Sequence, residues 1–315
     1  MYMAKINNIL GLFKSNIVYS FKKEIKEVKN KQVLSKQEEI DTYFKQISKM
    51  DKVFVCYLDK LTCQIIYEGY LVNDLIRRDY SKDLYTKVAS SLKLDTELIS
   101  GEILNHIANE YIKAFNKLTL GFYDDNKFSR YIISRSTGDT TFISNKYVKD
   151  YISYLPIVFS SKRVLTFSKY ADLVKVQFIK LKTGNRYRNR FDYNLFSVDL
   201  NETISNTDRT TYFETLDALK MKVLNYTFEI GLIENSPFSL LFGEFIYGMK
   251  STSIVLDDSL FGLFDIVKTK DEVPENNRDF ISLQDYNTHN TIDDFTATSY
   301  LSKTSVIEQT KENNK

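Results

Sequence analysis

Tryptophan is missing from this chain, and proline, cysteine and histidine are scarce: three Pro, two Cys and two His in 315 residues. Each scarcity removes a class of function. Two cysteines, Cys56 and Cys63, are too few for a disulfide framework in a chain this long, which points to a reducing compartment. With only His106 and His289, a Ser/His or Cys/His nucleophile pair has almost no candidate base. Neither C-x-x-C nor HExxH occurs, so the common zinc arrangements are excluded as well. GxxxxGK[ST], GxGxxG after a strand, and the GxSxG elbow are likewise missing. No apolar run reaches the roughly eighteen residues that a membrane span requires. The first residues carry Lys14 among their apolar positions and no small-residue cleavage site follows, which argues against a signal peptide.

What is abundant is Lys, Asn, Ile, and above all Tyr and Phe, at 22 residues each. This usage is associated with A/T-rich codons, as in many bacteriophages and some low-GC bacteria. A hydrophobic fraction of 43% supplies a real core, and the net charge of +2 argues against a protein held to nucleic acid by bulk charge. The charge is unevenly distributed. Residues 1–50 hold ten Lys against five acids, residues 162–192 nine Lys or Arg against two acids, and from Asp271 onward nine acids face four bases.

These shifts divide the chain into an N-terminal helical region (1–50), an α+β core domain (51–270) and an acidic tail (271–315) that orders only against a partner. In the first region Ile6, Leu10, Phe13, Ile17, Phe21, Ile25 and Val28 recur every three or four residues, the stripe of a long amphipathic helix set among lysines. A second helix is expected from Ser35, with Glu38 completing a capping box. The run VFVCYLDKLTCQIIYEGY reads as a hairpin about Asp59-Lys60, which would set Cys56 opposite Cys63, both as reduced, buried thiols.

Helices are expected between Val72 and Leu118, the second from about Thr96, with Glu102, His106 and Glu110 along its outer face. Those three are a possible metal face, set against the simpler reading of a solvated one. From Leu120 short β-like runs suggest an antiparallel meander, broken by a helical piece at 145–154. A further helix follows from Thr207 or Asp208 to about Ile230, ended by Gly231. The apolar stretch from Phe238 to Val267 is core or subunit contact. The pairs Asp124-Asp125, Asp257-Asp258 and Asp293-Asp294 fit turn and capping roles better than catalysis.

The most distinctive stretch is Ala171 to Leu200. It reads as a long β-hairpin turning at Gly184-Asn185, with Phe178 opposite Phe191, Val176 opposite Tyr193 and Val174 opposite Leu195. Its other face carries Arg186, Arg188 and Arg190 at period two, with Lys175 further down. Arginine forks suit phosphate or carboxylate partners, and this charged face is the first candidate interaction surface. The second is the N-terminal amphipathic helix, through Leu10, Phe13, Ile17 and Phe21.

The fold class expected is therefore α+β: N-terminal helices, a central antiparallel sheet with a long hairpin, a further helix and a flexible C-terminal tail. The function expected is a non-enzymatic structural or assembly subunit of a large complex, a phage or viral virion component being the leading instance. The alternative is a nucleic-acid-binding protein using the basic hairpin 171–200, and a carboxylate-dependent metal enzyme ranks third. Expected partners are other protein subunits in a homo- or hetero-oligomer. No catalytic residue, cofactor or metal is assigned, and the expected location is the cytoplasm of a host cell or the virion.

Overall fold

The short apolar runs of this sequence are strands buried on both faces, and that is the physical signature of a parallel sheet rather than an antiparallel one. In IGLIE and TSIVL every residue is buried. A computed structural model describes residues 33–92, 99–183, 194–199, 212–272 and 280–287. Its centre is one eight-stranded sheet in which every pairing is parallel. The strands are β1 (Val33–Leu34), β2 (Phe54–Leu58), β3 (Leu120–Tyr123), β4 (Thr141–Ser144), β5 (Arg163–Ser168), β6 (Asn194–Asp199), β7 (Ile230–Glu234) and β8 (Thr252–Leu256). They stand in the order β1-β4-β3-β2-β8-β7-β5-β6. A two-stranded parallel pair, β9 (Ile266–Val267) with β10 (Ile281–Ser282), lies beside it.

Parallel neighbours require crossovers, and helices supply them. On one face lie α2 (Lys60–Asn73), α3 (Lys82–Leu92), α4 (Gly101–Phe115), α5 (Lys127–Arg135), α8 (Tyr212–Val223) and α9 (Ser239–Gly248), whose buried side chains share one core with Phe54, Cys56 and Leu58. On the other lie α1 (Gln37–Ile47), α6 (Val148–Phe159), α7 (Ala171–Thr183), the 3-10 turn Asp258–Phe264 and the short α10 (Leu283–Asn287), packed with Val55, Leu120 and Phe122. Alternate residues of β2 thus feed opposite cores, as the pleat demands. Every step in the direction from β2 to β4 crosses on the α2 face, and every step in the opposite direction crosses on the α6 face. A single crossover hand produces that correlation.

The expected antiparallel α+β sheet is thereby overturned: the chain is doubly wound α/β. The hairpin 171–200 does not exist. Residues 171–183 form helix α7, with Phe178 and Val174 in the core beneath it, and Leu195 pairs with Val164 in parallel. The Gly184-Asn185 turn and Arg186, Arg188 and Arg190 lie outside the described residues. Nor is there a hairpin at Asp59: Cys56 ends in β2 and Cys63 in α2, both free and buried. Helix α1 starts from Lys36 with no side-chain cap, so the Ser35–Glu38 box is not formed. Gly231 lies in β7 rather than at a helix end. The Phe238–Val267 stretch is core, with Leu240, Phe242, Ile254 and Phe264 all buried. Part of the expected tail folds back, since Leu283 is buried and Tyr286 meets the Tyr170 ring at 6.0 Å.

Candidate functional site

In a parallel sheet all strands end at the same edge, and the loops there converge on a crevice wherever neighbouring strands send their chains to opposite faces. That condition is met between β3 and β4, β2 and β8, β8 and β7, and β7 and β5; at β2/β8, in the middle of the sheet, the loops after β2 and β7 are also tied together through Asp59 and Asn235. β2 leaves towards α2 on one face, while its neighbour β8 leaves into the 3-10 turn on the other. The side chains at this carboxyl end are mostly carboxylates and amides, contributed by the loops after β2, β3, β4, β7 and β8.

Asp59 follows β2 and caps α2, one oxygen accepting from the Thr62 amide at 2.6 Å. Its second oxygen accepts from the Asn235 side-chain amide at 2.9 Å. Asn235 follows β7, and its own backbone N–H donates to Leu256 O of β8 at 2.8 Å. After β3, Asp124 accepts from the Tyr57 hydroxyl at 3.1 Å and from the Asn145 amide. Asn126 caps α5 in a reciprocal box with Ser129. After β8, Asp257 caps the 3-10 turn through the Ser259 amide at 3.1 Å. One strand further out, the buried Glu234 accepts from the Ser168 hydroxyl at 2.8 Å, the Lys169 amide at 3.0 Å and the Lys169 ammonium at 2.9 Å.

The electrostatics follow from this crowding. Burial raises the Tyr57 hydroxyl above the usual phenol range, and Asp124 and then Asp257 push it further. The Cys63 thiol below is raised by burial, then by Asp59 and Asp124, so it stays protonated and unreactive. Burial works to lower the Lys169 ammonium, but the hydrogen bond and charge of Glu234 outweigh it and the net shift is upward.

The side chains at this edge are rich in acceptors. Side-chain caps fill the helix starts at α2, α5 and the 3-10 turn, the two starts that flank the β2/β8 divergence among them, while α6 and α9 begin without one. Hydroxyl or ammonium donors suit such an edge better than an anion does. Among the described residues no group of three or more His, Cys, Asp or Glu is arranged to hold a metal.

The residues picked out from the sequence fall elsewhere. Lys175 is exposed on α7, and Leu10, Phe13, Ile17 and Phe21 lie outside the described residues together with the three arginines. Glu102 and His106 are exposed on α4. His106 packs its ring 4.3 Å from that of Phe213, and Glu110 pairs with Lys113 at 2.6 Å. Asp125 pairs with Arg130 at 2.6 Å and Asp258 with Lys268 at 2.8 Å; Asp293 and Asp294 lie outside the described residues. Asp59, Asn235 and Glu234 were not singled out as site residues. The legible signal was Asp-x-x-Thr just after an apolar run, a helix cap where a turn was expected.

No described helix is long and apolar enough to cross a membrane. Compared with known families, with curated proteins and with solved structures, the chain matches none.

Proposed function

We propose that this chain is a small-molecule-binding α/β domain whose ligand seats at the carboxyl end of the sheet, where β2 and β8 diverge. The observation that carries the reading is topological. Two adjacent central strands send their chains to opposite faces, and the loops beside them present Asp59, Asn235 and Asp257. The acceptor-rich lining selects a neutral polyhydroxylated or a cationic ligand over a phosphorylated one. The test is a thermal-shift panel of sugars, nucleosides and polyamines run beside nucleotides and inorganic phosphate, with Asp257→Asn as the site variant. A stabilising sugar, nucleoside or polyamine whose effect the variant abolishes supports the reading. Stabilisation by phosphate compounds alone, or a response unchanged in the variant, refutes it.

A second reading, the assembly subunit of which a virion component is an instance, is favoured by β6. Among the described strands it is a sheet edge, and Phe196 on it is 43% exposed. Open edges pair with other chains. Light scattering over a range of concentrations, with Phe196→Lys as control, tests it: a monomer throughout removes self-assembly through this edge.

A further inference from the structure

The described fold leaves most of its exposed large apolar side chains at one end. Eight such residues are exposed: Met50, Leu75, Ile76, Ile157, Ile179, Phe196, Met221 and Leu224. All except Phe196 and Ile179 sit in the last turn of a crossover helix or within three residues of its end, in α1, α2, α6 and α8. A crossover helix starts at the carboxyl end of the sheet and must return to the amino end before the next parallel strand. The C-termini of these helices, from both faces, therefore ring the amino end. For α2 a direct contact supports this: Asp74, just past its end, pairs with Arg135 at the end of α5 at 2.5 Å. Leu75 is the extreme case, at 89% exposure and with a left-handed backbone, φ 58°. It burdens the fold without filling any part of the core, and strain of that kind is retained where a surface has a use for it.

We propose that the amino end is the docking surface for this chain's own residues 6–28. Three observations converge on that occupant. The segment carries the apolar stripe from Ile6 to Val28 with lysines over much of the rest, so it needs an apolar surface to cover that stripe. The described chain begins at Val33 in β1, and a strand's first residue lies at the amino end, so the segment arrives where the apolar rim is. The lengths also agree. Twenty-three helical residues span about 34 Å. Eight strands spaced about 4.8 Å apart span roughly the same width.

The test uses the full chain and amide hydrogen exchange read by mass spectrometry, with two variants. One, Leu75→Asn/Ile76→Asn/Met221→Asn/Leu224→Asn, changes exposed rim positions. The other, Phe13→Asn/Ile17→Asn, changes only the stripe. Peptides covering 6–28 are expected to exchange at least about tenfold more slowly than an unstructured reference, and both variants are expected to abolish that protection. A second readout holds even if the rim variant folds poorly: peroxide oxidation of Met50 and Met221 should be slow in the native chain and faster in the stripe variant. Exchange of 6–28 at the unstructured rate overturns the proposal, as does protection that survives in the rim variant. Protection that rises with protein concentration overturns it in favour of a second copy. Ordering of the segment only on anionic lipid vesicles overturns it in favour of a membrane surface.

Discussion

Asn235, at the end of β7, donates its side-chain amide to Asp59 Oδ2 at 2.9 Å across 176 positions of sequence. The bond ties the loop after β7 to the loop after β2 over the end of β8, which lies between them. Asp59 is doubly used, because its other oxygen caps α2. Asp59→Ala is expected to cost about 2 kcal/mol and Asn235→Ala about 1 kcal/mol. In urea titrations the double variant should show a coupling of about 1 kcal/mol. Strict additivity would mean that the contact carries no energy.

The part of this fold legible in the sequence is the part that depends on periodicity alone. Ile107, Tyr111 and Phe115 announce α4, and Leu216, Leu219 and Val223 announce α8. Strand direction is not legible that way, because a four- or five-residue apolar run buried on both faces is the same string in either kind of sheet. Residues 171–183 carry both periods at once. Val174, Val176 and Phe178 alternate as in a strand, while Val174, Phe178 and Leu181 repeat as on a helix, and the core beneath α7 decides for the helix. The carboxyl-end residues were hidden for a related reason: Asp59 looks like a turn residue until α2 is seen to start there.

Gly69 of α2 is where that helix meets α4. A Cβ at this position would lie 2.7 Å from Ala108 Cβ, closer than two carbons pack. Alanine gains about 1 kcal/mol of helix propensity there. Separating the helices should cost more, so Gly69→Ala is expected to destabilise by about 1–2 kcal/mol net. Adding Ala108→Gly should recover most of the packing loss. A Gly69→Ala protein at least as stable as the native one in chemical denaturation would show that the two helices part freely.

Leu75 closes α2 in a Schellman turn, its amide donating to Val72 O at 3.1 Å and that of Ile76 to Leu71 O at 2.9 Å. Glycine is the usual residue at this left-handed position, since it has no Cβ to crowd the following carbonyl. In the Phe13→Asn/Ile17→Asn chain, where the rim is left uncovered, Leu75→Gly is expected to raise stability by about 0.5–1 kcal/mol, the relieved strain exceeding glycine's entropic cost. A lowered melting temperature would mean that Leu75 makes a contact more valuable than its strain.

Two buried tyrosines converge on one carbonyl. Tyr111 and Tyr212 both donate to Pro237 O, the second at 3.1 Å, and their hydroxyls stand 3.4 Å apart. Burial raises both phenols above the usual range. Their stability contribution is therefore complete below the ordinary tyrosine value and falls as pH rises beyond it. In an absorbance titration both should ionise only as the protein unfolds. Tyr212→Phe should remove one late-titrating phenol and cost about 1 kcal/mol. Reversible ionisation of both in the folded state would contradict the packing.

At the opposite edge, Glu229 binds the amide of Arg163 at 2.9 Å, its guanidinium at 3.4 Å and the Lys162 ammonium at 3.7 Å. The Arg163 amide is the largest influence, and burial opposes it without cancelling it, so the Glu229 carboxyl sits below the usual glutamate value. A depressed acid contributes its stability above the unfolded value and loses it as pH falls through the folded one. The native protein should therefore lose stability between about pH 5 and about pH 3 more steeply than Glu229→Gln, which keeps an acceptor for Arg163 but carries no charge. The partly exposed position and the long Lys162 distance make this a modest difference in slope that added salt should shrink. Parallel denaturation midpoints for the two proteins across that range would show that the Arg163 contact leaves the carboxylate unperturbed.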